Sequence, residues 1–280
     1  MSFTLAHPVL VLPLYKKNKS KFCLSALILG SMAPDFMTIF NIQGLYEVYK
    51  CIDLDNYWSI KTFILFYLPI CIIAYLILKC LIKDFTIYIL PYSISGRVMT
   101  LIKYNNNLNF LNKSIIFIYS TYIGVLSHAV LDEITHPNTF MWNFIKNNIG
   151  YPRYNIPLVL YLLTSIIGLI ILVSIFNRVP IDTSFKKEYY LPKRSKILFS
   201  SFILFNGVFL CVLKYMLILS LFKTFIYTKN LTLLIATTRI IIIALIEGFS
   251  IGIFLICVYW NIKNNMYNKF IKNTRKKISQ

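Results

Sequence analysis

Two histidines and two carboxylates fall within one short stretch of this sequence. The segment HAVLDEITHP begins at His128 and contains Asp132, Glu133 and His136. On a helix, His128 and Asp132 share one face, separated by about 6 Å of axial rise. A histidine nitrogen and a carboxylate oxygen at this spacing can bind one divalent cation between them. Pro137 disfavours helical backbone at the residue before it, so we expect the helix to end near His136.

Two ligands do not complete a metal site, which usually has three or four protein ligands. The third histidine of the chain, His7, stands in TLAHPVLVLP, and Asp35 stands in the apolar segment LSALILGSMAPDF. A buried carboxylate is costly unless it is paired, protonated or bound to a metal. Taken singly, each residue is explained as a capping or hydrogen-bonded group. Taken together, they form a mixed nitrogen and oxygen site suited to zinc or manganese, made of His7, Asp35, His128 and Asp132, with His136 as an adjunct.

Long apolar blocks position these residues. The chain has 280 residues, of which 58% are hydrophobic, and its mean hydropathy is +0.67. Blocks of 18 or more mostly apolar residues predict transmembrane helices. We therefore expect an all-α fold, a polytopic transmembrane helical bundle with five or six spanning helices. The blocks are Ile60–Ile82, Lys113–Leu131, Ile156–Phe176, Ile197–Phe222 and Leu233–Trp260, with Phe22–Phe40 as the sixth candidate.

The basic residues indicate orientation rather than a nucleic-acid partner. The net charge is +19, but most Lys and Arg residues flank the apolar blocks, as is typical of loops beside a bilayer. If Phe22–Phe40 spans, one side collects 20 basic residues and the other 6; if it does not, the counts are 16 and 10. Charge therefore favours six spans, a multi-pass protein of the cell membrane with both termini in the cytoplasm. The partner is the lipid bilayer.

The six-span arrangement conflicts with assembly of the metal site. It places His7 on the cytoplasmic side of the membrane, whereas His128 and Asp132 lie toward the opposite side. The N-terminal segment would then have to fold deep into the bundle. If Phe22–Phe40 does not span, His7 and His128 share a side, but the charge count becomes less favourable.

Charged residues within the later blocks suggest two alternatives. Intramembrane charges are candidates for function, so Lys214, Arg239 and Glu247 are consistent with a small transporter. The other interpretation is structural pairing between helices, for example Lys214 with Glu247. We divide the chain into a region with the His and Asp cluster (1–178), further transmembrane helices of the same domain (179–262) and a basic C-terminal tail (263–280).

Three segments together resemble a known bacterial membrane family. MSFTLAHPVLVLPL, LSALILGSMAPDF and YIGVLSHAVLDEITHP look like domain-of-unknown-function family 4184 in order and spacing, over roughly residues 1–178. More distantly, the sequence is similar to membrane-bound metal-dependent hydrolases, which have an early His, a Pro-Asp and a His-x-x-x-Asp. That resemblance implies His7, Asp35, His128 and Asp132 as metal ligands.

The chain departs from the patterns of these two families at three places, and two of the departures remove a histidine. Trp58 stands where a histidine is common, Tyr67 stands where an Asp is common, and LYLLTSIIG keeps Ser165 and Gly168 without a histidine. We therefore expect a divergent member with an incomplete metal site. The alternative is a membrane-embedded metal-dependent hydrolase acting on a lipid-like substrate, with Asp132 or Glu133 as base. No catalytic residue is assigned.

Overall fold

The computed structural model describes residues 4–40, 59–103, 109–135, 143–144, 156–183, 193–221 and 241–263. Within these ranges the backbone forms helices and connecting turns, and no strand occurs. The predicted all-α class is therefore confirmed. After a 3-10 helix at Thr4–Leu10, the α-helices are α1 (Leu12–Lys17), α2 (Leu24–Phe40), α3 (Ile60–Ile89), α4 (Tyr92–Lys103), α5 (Phe110–Thr135), α6 (Ile156–Asn177), α7 (Lys193–Leu221) and α8 (Ile241–Lys263).

Four of these helices are long and apolar enough to cross a membrane. They are α3, α5, α7 and α8, whose apolar stretches are Ile60–Ile89, Phe110–Glu133, Lys193–Met216 and Ile241–Lys263. Leu24–Phe36 in α2 and Leu163–Asn177 in α6 are shorter apolar helical stretches. Large apolar side chains remain exposed along the long helices, as expected where the surrounding solvent is lipid. The chain is a membrane-embedded helical protein.

The chain divides into two compact units. The first contains residues 1–77 and 96–185, and the second contains residues 78–95 and 186–280. All four residues predicted as metal ligands belong to the first unit, whereas Lys214 and Glu247 belong to the second. The domain bounds predicted from the sequence stay a prediction.

In the first unit, α2 and α5 run parallel, and their backbones lie in close contact. Cys23 N–H donates to Ser120 Oγ at 3.0 Å near the beginning of the contact, and Ser31 lies beside His128 further along. Glycine on both helices permits this approach. A Cβ at Gly124 would lie 2.6 Å from the Leu27 carbonyl oxygen, and a Cβ at Gly30 would collide with the Thr121 carbonyl. Alanine at either position would separate the helices.

The helix α3 contains a π-helical turn that faces the same core. Phe63–Tyr67 is π-helical and directly precedes Leu68 and Pro69. Proline has no N–H to donate and its ring crowds the carbonyl of the preceding turn, so a wider turn relieves the conflict. Phe63, Phe66 and Tyr67 are buried together with Leu29, Ala33, Cys71 and Val125. This cluster holds α2 and α5 against α3.

In the second unit, α7 and α8 pack through glycines and one ion pair. A Cβ at Gly248 would lie 2.5 Å from the Asn206 carbonyl oxygen, so these helices are also in close contact. Lys214 Nζ donates to Glu247 Oε2 at 2.5 Å. The predicted pairing of Lys214 with Glu247 is confirmed, and Arg239 lies outside the described residues. Phe85, Phe199 and Trp260 form an aromatic cluster within this unit.

Candidate metal centre

His128 is the central residue of the polar cluster in the first unit. It lies on α5 one turn after Gly124, and its side chain is fully buried. Its Nδ1 is 2.9 Å from the Ser31 carbonyl oxygen on α2. Because a carbonyl only accepts hydrogen bonds, Nδ1 carries the proton and donates it. In the neutral ring, Nε2 then presents a lone pair to the cluster, which is the form that binds a metal.

Asp132 lies one helical turn beyond His128, on the face that the spacing predicts. The distance from His128 Nε2 to Asp132 Oδ2 is 3.0 Å. The side chain of Asp132 is 12% exposed, compared with 1% for each histidine. The carboxylate is therefore held within the protein but lies nearest to the outside of the cluster.

The 3-10 helix brings His7 to the same point from a distant part of the sequence. The His7 and His128 rings stack, with centroids 4.0 Å apart and planes inclined by 15°. His7 Nε2 is 3.7 Å from Asp132 Oδ1. Gly168 on α6 supports this arrangement, because a Cβ there would lie 2.8 Å from the Ala6 Cβ. The small residue thus allows the 3-10 helix to pack directly on α6.

Asp35 lies next to the group formed by His7, His128 and Asp132 but is not one of its members. Its Oδ1 is 3.8 Å from His128 Nε2, and the residue is buried on α2 directly after Pro34. The group whose ligand atoms all lie within 4.8 Å of one another consists of His7, His128 and Asp132. Three predicted residues therefore converge, and Asp35 lies beside them.

The remaining predicted positions contribute differently. His136 and Trp58 lie outside the described residues. Glu133 is half-buried beside Asp132, and Tyr67 is buried in the apolar cluster with Phe63 and Val125. Ser31 was missed as a functional residue because its contribution is a main-chain carbonyl, which no side-chain motif can reveal. The glycines Gly30 and Gly124 were the available signal, since each marks a close approach of backbones.

The donor set and its dimensions fit a divalent ion. Tetrahedral zinc with bonds of about 2.0–2.1 Å has ligand atoms roughly 3.3 Å apart. His128 Nε2 is 3.0 Å from Asp132 Oδ2 and His7 Nε2 is 3.7 Å from Asp132 Oδ1, so each histidine lies near a different oxygen of the carboxylate. A bound ion would draw one ligand atom from each residue, now within 4.8 Å of one another, closer together. Two imidazoles and a carboxylate suit zinc and manganese, and Ser31 supplies the outer hydrogen bond typical of a metal-bound histidine. Without a metal, the contact between His128 Nε2 and Asp132 Oδ2 would need a proton on one of these two atoms.

Comparison with known proteins gives a family but no activity. No curated protein and no solved structure matches the chain. A family model described as Domain of unknown function (DUF4184) matches residues 1–258, which extends well past the region of roughly 1–178 that carries the resemblance in the sequence. The matched residues include the whole polar cluster and most of the chain. The protein therefore belongs to the DUF4184 family.

Proposed function

We propose that this protein is a divergent integral membrane member of its family that binds one divalent cation, zinc or manganese, in its first unit. The ligands are His7, His128 and Asp132, with Asp35 as the neighbouring carboxylate. The observation that carries the proposal is the convergence of three ligand atoms within 4.8 Å, from buried residues of two separate segments. Burial favours the metal because a buried carboxylate needs a positive partner.

Each residue has a separate task in such a site. His128 is oriented through its Nδ1–H by the Ser31 carbonyl, so that Nε2 faces the cluster. Asp132 brings negative charge to both histidines, and the 3-10 helix fixes His7 through its stack on His128. A bound divalent ion would supply a Lewis acid and lower the pKa of a coordinated water. The resemblance described above implies a reduced site, because Trp58 stands where a histidine is common.

A membrane-embedded metal-dependent hydrolase is the second candidate. It is favoured by the number of protein ligands, because three leave one position for water or substrate, as in catalytic zinc sites. Asp35, whose Oδ1 is 3.8 Å from His128 Nε2, is the neighbouring carboxylate that would serve as a proton acceptor in such a site. The substrate would be lipid-like, since the site lies on helices embedded in the bilayer. Transport receives no such support, because Lys214 is paired with Glu247.

We propose a cell-membrane location with six long crossings and the C-terminal tail in the cytoplasm. The distribution of basic residues supports this orientation. The parallel direction of α2 and α5 also supports it, because the first and third crossings of a chain run in the same direction. In this arrangement α2 and α6 are crossings in addition to the four long apolar helices.

Metal content of the purified full-length chain tests the binding proposal. Elemental mass spectrometry after dialysis against zinc or manganese should find about one ion per chain. His128→Ala and Asp132→Asn should each remove most of it, because each deletes a ligand atom. Asp84→Asn changes an exposed carboxylate far from the cluster in sequence and should leave the content unchanged. Absence of stoichiometric zinc, manganese or iron from the native protein would overturn the proposal.

The hydrolase candidate needs its own assay. Phospholipid and ester substrates in mixed micelles should be cleaved by the native chain, with activity lost on chelation and restored by zinc or manganese. Metal binding without cleavage of any substrate would leave a binding protein as the function. Cleavage that persists in His128→Ala would exclude the cluster as its source.

A further inference from the structure

We infer that the metal site opens to the extracytoplasmic half of the bilayer and that the N-terminal end of the 3-10 helix faces that side. The statement about access rests on the proposed metal site, whereas the statement about orientation does not. Both statements are derived from the order in which the residues between His7 and Asp35 contact α5. The orientation also removes the conflict between the count of basic residues, which favours six spans, and the assembly of His7 with His128 in one site.

Three levels of contact lie along α5. Cys23 contacts Ser120, and Val11, Tyr15 and Leu27 pack with Ile123. His7 and Asp35 contact His128 and Asp132 at the third level. From Ser120 to Asp132 the helix rises about 18 Å. From His7 to Cys23 the chain therefore runs from the third level to the first, opposite to the direction of α5. Helix α2 then runs from the first level back to the third, which it reaches at Asp35.

The turn between these two arms carries four lysines. They are exposed and belong to the end of α1 and the residues after it, at Lys16, Lys17, Lys19 and Lys21. A charged lysine is costly to place within hydrocarbon, and four of them together exclude that location. The turn must therefore lie at a membrane surface, and its positive charge makes that surface the cytoplasmic one. Lys113, near the beginning of α5, marks the same side.

It follows that the site lies about 18 Å along α5 from the cytoplasmic level, past the middle of a bilayer about 30 Å thick. The 3-10 helix runs from the site toward the lysine turn, because His7 is level with Asp132 and Val11 is level with Leu27. Its beginning at Thr4 therefore points away from the cytoplasm. This revises the expectation for the N-terminal segment, whose Thr4 end lies on the extracytoplasmic side of His7, while the count of basic residues on each side is unchanged.

The packing also decides from which side the site can be reached. Between the site and the lysine turn lie Val11, Tyr15 and Leu27, which are almost fully buried against one another. Apolar packing of this density blocks an ion from the cytoplasmic side. Asp132 lies one helical turn further from the lysine turn than His128 and is the most exposed of the four polar residues, with 12% of its side chain accessible. Ion and substrate would enter past Asp132.

Cysteine labelling tests the orientation without any use of the metal. Ser2→Cys and Lys19→Cys are expressed separately in the otherwise native chain, and intact cells are treated with a membrane-impermeant maleimide. Mass spectrometry of the peptides then identifies the labelled residue. We expect Ser2→Cys to be labelled in intact cells and Lys19→Cys only after permeabilisation. Labelling of Ser2→Cys only after permeabilisation, or of Lys19→Cys in intact cells, would overturn the orientation.

Chelation from one side tests the access. Zinc-loaded chain in right-side-out vesicles should lose its zinc to external EDTA, whereas inside-out vesicles should retain it at least tenfold longer. Loss only from inside-out vesicles would overturn the access while leaving the metal site in place. If neither preparation holds zinc, the proposed metal site is wrong and so is the inference about the side from which it is reached. The cysteine labelling still decides the orientation of the N-terminal segment.

Discussion

The ring of His128 donates its Nδ1–H to the main-chain carbonyl of Ser31, across a helix contact in which the two backbones almost touch. This single hydrogen bond joins the fold to the proposed chemistry. It exists only because Gly30 and Gly124 let α2 and α5 approach closely enough for a side chain to reach a carbonyl on the neighbouring helix. Positions that control this approach should therefore control metal affinity.

Gly124→Ala is the first test of that relationship. The new Cβ would lie 2.6 Å from the Leu27 carbonyl oxygen, so α2 and α5 must separate and the bond from His128 to Ser31 lengthens. We expect zinc affinity to fall about 10- to 100-fold, as for loss of other outer partners of metal ligands. Isothermal titration calorimetry of the chain in detergent measures the change.

Gly248→Ala provides the matched control. Its Cβ would lie 2.5 Å from the Asn206 carbonyl oxygen, a similar collision in the second unit. Both variants should lower the thermal midpoint, because overpacking costs about 1–3 kcal/mol. Equal loss of zinc affinity in the two variants would show that instability alone, rather than the position of Ser31, weakens binding.

Pro34→Ala distinguishes two causes of weaker zinc binding: a displaced Ser31 carbonyl and a less stable fold. Pro34 has no N–H for the Gly30 carbonyl and its ring crowds that carbonyl, one residue before the Ser31 carbonyl that faces His128. Alanine would restore the hydrogen bond and relieve the crowding, which would move the Ser31 carbonyl. We expect equal or higher thermal stability together with roughly tenfold weaker zinc binding. The control is Pro69→Ala in α3, and a Pro34→Ala chain that binds zinc as tightly as the native chain would contradict the prediction.

Zinc binding should weaken as the pH falls. Both histidines must be neutral and Asp132 must be ionised to bind a cation, so protons compete with the metal. Each histidine that binds through an unprotonated nitrogen adds one competing proton, so affinity should fall as the pH is lowered. Competition with a zinc-sensitive dye between pH 5 and pH 8 measures it, and in His7→Ala the dependence should become shallower. A dependence on pH that His7→Ala leaves unaltered would exclude His7 as a ligand.

The ion pair in the second unit should affect stability and not metal binding. The pair is partly buried, with 27% of the Lys214 side chain and 11% of the Glu247 side chain exposed, and breaking it leaves one charge without its partner in an apolar segment. Lys214→Met and Glu247→Leu should therefore each destabilise the chain, and the double variant should recover most of the loss. Thermal unfolding of the four chains forms a double-mutant cycle. A double variant as unstable as the sum of the single variants would contradict direct pairing within the membrane.

The sequence predicted the helical class and the shared face of His128 and Asp132 because both follow from local periodicity. The pairing of Lys214 with Glu247 was also predictable, since few other charges lie within the apolar blocks. These inferences need only spacing along one helix or the cost of a charge in lipid.

The position of His7 could not be predicted in the same way. Counting basic residues treats each segment as either crossing or not crossing, whereas Thr4–Leu10 is a 3-10 helix that enters the bundle and leads to the lysine turn. The number of spans was likewise undetermined by composition, because Pro34 and Asp35 interrupt the apolar segment Phe22–Phe40. The role of Ser31 was hidden because backbone carbonyls have no sequence motif.

X-ray absorption at the zinc edge of the zinc-loaded chain tests the central claim most directly. We predict a first shell of nitrogen and oxygen at about 2.0–2.1 Å with multiple scattering from two imidazoles. In His7→Ala, scattering from one imidazole should remain. A first shell that lacks imidazole scattering, or a spectrum identical in the native chain and in His7→Ala, would contradict a metal site built from His7, His128 and Asp132.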